Sequence, residues 1–174
     1  YLFRKFNTHF LKHYFISNTN YLVTYIPPPM KNVFLGLLLF SLTSGFSQNW
    51  KTNFDEVKKE AAEQNKKILL VFSGSDWCGP CIKLDKNIWQ SKEFKSFSDK
   101  NYVLYRADFP KKKANQLPEE LRKQNLALAE KYNQDGNYPL VILMDSKAKI
   151  LGMLGYLNLD PSEYIDQLKA LEKK

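Results

Sequence analysis

Short, continuously apolar runs alternate with amphipathic stretches along most of the chain. Ile68–Phe72 and Leu140–Met144 are two such runs, and each predicts a strand that is buried on both faces of a sheet. Tyr102–Asp108 predicts a further strand. Residues 150–156 follow a short turn at 146–149, so they predict a strand that returns antiparallel to Leu140–Met144.

Between these runs, apolar residues recur at the spacing of amphipathic helices. The first helix begins at Asn53, which can cap it together with Glu56, and the last begins at Asp160, which combines a cap with the first-position Pro161. Alternating strands and helices predict an α/β fold with a mixed central sheet and helices on both faces. The predicted helices are residues 53–65, a stretch from about Cys78 that carries Leu84 and Ile88, residues 91–98, residues 117–132 with a possible break near Asn125, and the stretch after Asp160 that carries Tyr164, Ile165, Leu168 and Leu171.

The composition is that of a folded domain with an uneven charge distribution. Of the 174 residues, 44% are hydrophobic and 25% are charged, which excludes wholesale disorder and allows one domain plus an appendage. The net charge is +8, but residues 1–47 contribute four basic side chains and no acidic ones. The remaining 22 basic and 18 acidic side chains give residues 48–174 only +4, which does not indicate a nucleic-acid partner. Phe109–Lys113 is expected to be a solvated loop, and a nucleic-acid role for its three lysines is the weaker alternative.

Histidine and cysteine are scarce, and their positions limit the chemistry. The two histidines, His9 and His13, precede Met30, so no imidazole follows that residue. This excludes Ser-His-Asp, Cys-His and histidine-ligated metal sites from the rest of the sequence. Cys78 and Cys81 are the two cysteines of the sequence and therefore the thiols available for redox chemistry.

Residues 30–47 have the pattern of a secretory signal peptide. Met30-Lys31 is a basic start, an apolar run at 33–42 follows, and Gly45-x-Ser47 is a small-residue cleavage site. We expect cleavage between Ser47 and Gln48 and a periplasmic or extracellular mature protein. The apolar run has about ten residues, whereas spanning a bilayer takes ~20, so a membrane anchor is the weaker alternative.

Residues 1–29 do not fit in front of a signal peptide. They open on Tyr1, are crowded with aromatic side chains and end in Pro27-Pro28-Pro29. Because a signal peptide normally begins at the translation start, we expect this segment to be an upstream extension that the cell does not translate. The alternative is a basic, aromatic arm at a membrane surface.

The sequence Trp77-Cys78-Gly79-Pro80-Cys81 follows the apolar run at 68–72 and begins a helix. Two cysteines at this spacing meet on the first helical turn and can form a small disulfide ring. The unpaired N–H groups at a helix N-terminus stabilise a thiolate. Cys78 is therefore predicted to be the nucleophile, and Cys81, one turn in and more covered, the resolving thiol. Lowering a thiol pKa from ~8.5 to about 7 raises its ionised fraction at pH 7 from ~3% to about half.

Two other interpretations of the cysteine pair stay open. The pair can be half of a zinc site, although residues 48–174 contain no second pair and no histidine. It can also be a merely structural disulfide, although so small a ring constrains the unfolded chain very little.

Trp-Cys-Gly-Pro-Cys after an apolar strand, with a proline that opens a later strand, resembles the thioredoxin superfamily. The resemblance covers about Asn53 to the C-terminus and implies a three-layer thioredoxin-like fold in residues 48–174. It implies catalysis by Cys78 and Cys81 through their redox-active disulfide, with no other cofactor and no metal. The family's cis-proline corresponds to Pro139. The residues implied to contact substrate are Trp77, Gly79, Pro80, Tyr138 and Pro139.

The chain also departs from cytosolic thioredoxins. Those proteins carry a buried acid where this chain has Phe72, which puts the proton relay assigned to that acid in doubt. Asp76 is nearer to the cysteines but is predicted to be exposed. Ile82 replaces a lysine, and about fifteen residues, roughly 111–125, are extra. Residues 73–78 and the signal peptide look more like extracytoplasmic members, including the C-terminal domain of thiol:disulfide interchange proteins.

The predicted function is extracytoplasmic reduction or exchange of disulfides in client proteins. No nucleotide fingerprint is present, so electrons are expected from a protein donor in the membrane, and the chain is expected to be a monomer. One alternative is a reductant dedicated to cytochrome c assembly. Another is a thioredoxin-fold binding or chaperone module whose disulfide is incidental.

The residues around the cysteines favour reduction over oxidation. Gly79-Pro80 adds no charge, Asp76 is negative, and the closest cation in sequence, Lys83, lies beyond Cys81, so the thiolate is only moderately stabilised. The absence of an acid at Phe72 acts in the opposite direction, but its effect is expected to be smaller.

Overall fold

A single five-stranded sheet forms the centre of residues 50–172, the part of the chain that the structure, a computed structural model, describes. The predicted signal peptide and upstream extension lie outside these residues. Among residues 50–172, no helix has the length and apolar character needed to cross a bilayer.

The strands are β1 (Trp50–Lys51), β2 (Lys67–Ser73), β3 (Tyr102–Asp108), β4 (Leu140–Met144) and β5 (Ile150–Leu154). The helices are α1 (Phe54–Glu63), α2 (Gly79–Leu84) with a π-helical turn at Asp85–Trp89, α3 (Lys92–Asn101), a 3-10 turn at Lys113–Asn115, α4 (Glu119–Tyr132) and α5 (Pro161–Leu171).

The sheet is mixed, as predicted. Its strand order is β1-β3-β2-β4-β5. β1 and β2 pair parallel with β3, whereas β4 runs antiparallel to β2 and β5 antiparallel to β4. Because β2 is central, the residues that follow it emerge in the middle of one end of the sheet.

Helices cover both faces of the sheet, which makes the fold three-layered. Leu69 and Val71 of β2 belong to a buried cluster with side chains of α2, α3 and α5. Ile68, Leu70 and Phe72 belong to a second buried cluster with side chains of α1 and α4. The alternation along one strand confirms that β2 is buried on both faces.

The predicted helix starts are confirmed where a side chain caps the helix. Asn53 Oδ1 accepts hydrogen bonds from the backbone N–H groups of Asp55 and Glu56 at 3.0 and 3.2 Å. Asp160 and Glu163 form a complete capping box at the start of α5. These contacts satisfy backbone donors that would otherwise lack partners.

The possible break near Asn125 is wrong, since α4 runs unbroken through that residue. The Tyr105 hydroxyl donates to Asn125 Oδ1 at 2.7 Å, and Asn125 Nδ2 donates to the Asp108 carbonyl at 3.1 Å. The buried amide is thus paired with β3 and does not compete with the helix backbone. The helix begins at Glu119, two residues later than predicted, because Pro118 precedes it as the cap residue.

Glu172, just after α5, is fastened to the starts of β2 and β3. Its carboxylate accepts a hydrogen bond from Lys67 Nζ at 2.9 Å and another from the Tyr102 hydroxyl at 2.7 Å. Burial raises the pKa of Tyr102, and the bond to Glu172 raises it further, so the hydroxyl remains a donor. This end of the sheet is opposite the end where β2 leads into α2.

Candidate active site

Cys78 and Cys81 form a disulfide at the N-terminus of α2, immediately beyond the carboxyl end of β2. The sulfur atoms are 2.02 Å apart and the Cα atoms 5.2 Å apart. Cys78 is the cap residue of the helix, and its Sγ accepts a hydrogen bond from the Cys81 backbone N–H at 3.2 Å. The pairing that the spacing predicted is therefore present.

Exposure does not distinguish the two cysteines. Cys78 is 4% exposed and Cys81 is 3% exposed, a difference too small to separate their roles. The helix geometry does distinguish them, because Cys78 Sγ lies where the N-terminal N–H groups point. Pro80 has no N–H, so the N–H of Cys81 is the donor that reaches the sulfur. This arrangement favours negative charge on Cys78.

Trp77 packs against the loop that leads into α2. A Cβ atom at Gly74 would lie 2.3 Å from the Trp77 ring, so only glycine leaves room for the indole there. The indole Nε1 donates to the Phe109 carbonyl at 2.7 Å, and Lys111 Nζ lies 4.0 Å from the ring centroid. The side chain is still 39% exposed beside the disulfide. A large apolar surface is therefore held at a fixed position next to Cys78.

Asp76 is half-buried and fully engaged, not exposed as predicted. Its carboxylate accepts hydrogen bonds from the backbone N–H groups of Lys111 and Lys112, each at 2.9 Å, and from Asn115 Nδ2 at 3.0 Å. The hydrogen bond from the Lys111 backbone, with smaller contributions from Asn115 and Lys112, holds the pKa of Asp76 below its ordinary value. The segment from Lys111 to Asn115 is thus anchored to the active-site loop.

This contact changes the electrostatic picture drawn from the sequence. The sequence indicates Asp76 and Lys83 as the charges near the cysteines, and the structure adds Lys111, whose ammonium group lies over Trp77. The negative charge of Asp76 is directed at backbone N–H groups of the neighbouring segment. Nearby charge therefore gives no support for a weakly stabilised thiolate.

The end of β3 also anchors the loop between β2 and α2. Asp108, the last residue of β3, accepts hydrogen bonds from the Ser75 backbone N–H at 2.9 Å and from the Ser75 hydroxyl at 2.5 Å. β2 and β3 are parallel and end side by side, with Ser73 opposite Asp108, so the acid lies directly under the loop. Sequence reasoning missed Asp108. Its position at the end of a strand parallel to β2 could have indicated that it lies next to the loop that follows β2.

Phe72 is completely buried, so an aromatic ring and no acid lies at this point of β2. Among residues 50–172, no aspartate or glutamate is classed as buried. Asp76 and Asp108 are both engaged in hydrogen bonds to groups of the neighbouring loops.

Pro139 and Pro80 line one open groove, which brings the disulfide turn and the later proline together. The groove has a volume of about 570 Å³. The Tyr138–Pro139 peptide bond is cis, as predicted, and Pro139 is buried. Burial raises the pKa of Tyr138, whose ring lies 5.4 Å from that of Trp77. The other lining residues are Asn137, Leu140, Met153, Leu154, Gly155 and Tyr156.

The remaining predicted contact residues are also at this surface. Gly79 is exposed, and nothing lies within 4 Å of where a Cβ would stand, so the backbone next to Cys78 is accessible. Ile82 is 45% exposed on the first turns of α2, and Met153 of β5 is 46% exposed in the groove. Met153 was missed because its contribution depends on where β5 pairs and not on a local motif. Within residues 50–172, no cluster of three or more histidine, cysteine or acidic side chains could hold a metal ion.

Comparison with known proteins gives consistent matches. A family model described as thioredoxin-like matches residues 49–146. The disulfide bond reductase DsbH of Chlamydia pneumoniae is 34% identical over 124 residues, which are 71% of this chain and 72% of DsbH. The thioredoxin-related protein DsbJ of the same organism is 30% identical over 106 residues, 61% of this chain but 30% of DsbJ. A solved structure of a DsbH oxidoreductase has a TM-score of 0.67 and 32% identity, covering 73% of this chain and 85% of its own.

Proposed function

The chain belongs to the thioredoxin-like family and is a thiol–disulfide oxidoreductase, and we propose that it reduces disulfides in client proteins outside the cytoplasm. One observation carries the proposal. The disulfide between Cys78 and Cys81 lies at the N-terminus of α2, beside the groove that Pro80 and Pro139 line. Both sulfur atoms belong to a turn whose backbone donors favour a thiolate at Cys78.

The reaction begins from the dithiol form. The Cys78 thiolate attacks one sulfur of a client disulfide, the client S–S bond breaks, and the client's other sulfur leaves as a thiolate that takes a proton from water. Cys81 then loses its proton and attacks Cys78 Sγ. The mixed disulfide breaks, the second client thiol is released, and the Cys78–Cys81 disulfide forms. Two electrons pass from the protein to the client, so a protein donor must restore the dithiol.

Two observations support reduction as the direction. Gly79-Pro80 places no charge and no histidine between the cysteines, so thiolate stabilisation comes from the helix N-terminus alone among groups of that turn. A strongly stabilised thiolate would instead make the couple an oxidant. A relative that is 34% identical is named a disulfide bond reductase.

Insulin reduction tests this function. The full chain, supplied with dithiothreitol, is expected to precipitate insulin B chain much faster than dithiothreitol alone, because the helix N-terminus favours the nucleophilic thiolate form of Cys78. A variant with both cysteines replaced by serine is the control and should return the rate to that of dithiothreitol. Equal rates with the wild-type chain and this variant would contradict the proposed enzyme and favour a binding module.

Export is part of the proposal and is supported by residues 30–47. Their basic start, apolar run and Gly45-x-Ser47 site are those of a signal peptide, so the mature protein is expected to begin at Gln48. Mass spectrometry of the protein from its native cells checks this expectation. Detection of residues 1–29 on the folded protein would contradict both cleavage and the interpretation of those residues as untranslated.

A further inference from the structure

The segment 109–116 lies against the active-site loop, and the reaction just described makes no use of its charges. It carries Lys111, Lys112 and Lys113 between β3 and α4. Resting on the proposed function, we propose that this lysine segment recognises client proteins whose disulfides are flanked by acidic side chains. It would thus determine which disulfides reach Cys78 fastest.

The lysine segment has a defined position close to the reactive sulfurs. The Asp76 carboxylate accepts hydrogen bonds from the backbone N–H groups of Lys111 and Lys112. The Phe109 carbonyl accepts a hydrogen bond from the Trp77 indole. Asp76 precedes Cys78 by two residues, which span at most ~7 Å. Lys111 is thereby placed next to Trp77, the residue before Cys78, and Lys112 follows it on the segment that Asp76 anchors.

The positive charges of the lysine segment are available to a ligand. Lys111, Lys112 and Lys113 are exposed, and within residues 50–172 none of them forms a salt bridge. The ammonium group of Lys111 lies over the Trp77 ring, which carries no formal charge. The charge of Lys112 lowers the pKa of Asp76 without forming a salt bridge with it. The acids that follow on α4 are already paired, Glu119 with Arg122 and Glu120 with Lys123.

Two further lysines lie on the helix that the cysteines begin and on the turn after it. Lys83 and Lys86, on α2 and the turn after it, are exposed and form no salt bridge in the described part of the chain. Two carboxylates close to the segment are engaged by the protein itself, Asp76 by the backbone N–H groups of Lys111 and Lys112 and Asp108 by Ser75. A surface of one charge sign beside a reactive group raises the local concentration of oppositely charged substrate and its association rate. An acidic client protein would be attracted by the lysines and would also present a disulfide that the dithiol can reduce. A nucleic acid would be attracted by the same charges but has no disulfide to reduce.

Single-turnover reduction of matched peptides tests the proposal. The full chain is reduced, freed of reductant and mixed with peptides that differ only in the residues flanking their disulfide, which are Glu, Gln or Lys. At low salt the Glu peptide is expected to be reduced about tenfold faster than the Gln peptide, and the Lys peptide more slowly. At 1 M salt, where the Debye length is ~3 Å, the three rates should converge.

Matched variants locate the effect. Replacing Lys111, Lys112 and Lys113 together by glutamine should bring the Glu-peptide rate down to that of the Gln peptide, and replacing them by arginine should restore the preference. The control removes the same charge at the opposite end of the sheet by replacing the exposed Lys100, Lys147 and Lys149 with glutamine. It should keep the preference.

The outcomes separate the two proposals. If the wild-type chain reduces none of the peptides, the proposed function fails. If it reduces all three at equal rates, the function stands and the recognition proposal fails. If the Lys111–Lys113 glutamine variant and the control glutamine variant lose the preference equally, the preference is an effect of net charge, and the recognition proposal is overturned. Stronger inhibition by a single-stranded oligonucleotide than by an acidic peptide of equal charge would also overturn it, in favour of a nucleic-acid site.

Discussion

Replacing Cys81 by serine will leave a long-lived mixed disulfide between Cys78 and a client protein, whereas replacing Cys78 by serine will leave none. In the first variant the attacking thiolate remains, but no second thiol can displace the client. In the second, the remaining thiol lies one turn inside α2, away from the cap position that stabilises negative charge. Insulin reduction should fall to the rate of dithiothreitol alone in both. Non-reducing gels and mass spectrometry of the adducts measure the difference.

The two single variants control for each other, because each removes one sulfur from the same turn. The double serine variant gives the background of adducts formed without either thiol. The assigned roles would be contradicted if the Cys78→Ser variant accumulated adducts through Cys81 at the level that the Cys81→Ser variant accumulates them through Cys78. Adducts with Cys81→Ser also identify the clients, which the sequence does not.

Replacing Trp89 by alanine will lower the free energy of unfolding by ~3–5 kcal/mol, the range for truncating a buried large aromatic side chain. Trp89 is 2% exposed, and its ring contacts those of Trp50, Phe94 and Tyr164 at centroid distances of 6.1, 4.5 and 5.4 Å. The cavity would lie where α3 and α5 meet the sheet. Because domains are stable by only ~5–15 kcal/mol, urea denaturation should show a large shift of the midpoint.

Trp77→Ala is the matched control, since it removes the same side chain from a site that is 39% exposed. It should cost much less stability, while it removes apolar surface beside Cys78 and should slow reduction of insulin. Equal losses of stability in the two variants would mean that Trp89 does not organise the core as its contacts indicate.

Local patterns predicted most of the fold. The apolar run at 68–72 and the caps at Asn53 and Asp160 act through neighbours in sequence, so their structural meaning could be read directly. The disulfide turn was predicted for the same reason, because both cysteines lie within one helical turn. The cis peptide before Pro139 required the family resemblance, since the residues themselves also fit an ordinary proline at a strand start.

The features that sequence reasoning missed depend on contacts between distant residues. β1 consists of Trp50 and Lys51, too short to leave a pattern, and exists because these residues pair with β3. Asp76 was expected to be exposed because its partners lie some 35 residues later, in Lys111 and Lys112. The possible break at Asn125 was wrong because the amide is paired with Tyr105 of β3.

The anchoring of Glu172 to Lys67 and Tyr102 has a practical consequence for attaching other molecules to this protein. Lys67 and Tyr102 are the first residues of their strands, and the disulfide follows the last residue of β2. Seven extended residues separate the two ends by roughly 20 Å. A reporter or a surface tether joined after Glu172 would therefore project away from the groove and leave the approach to Cys78 unobstructed. Immobilisation through the chain's C-terminal side is thus the orientation in which client capture can be measured on a surface.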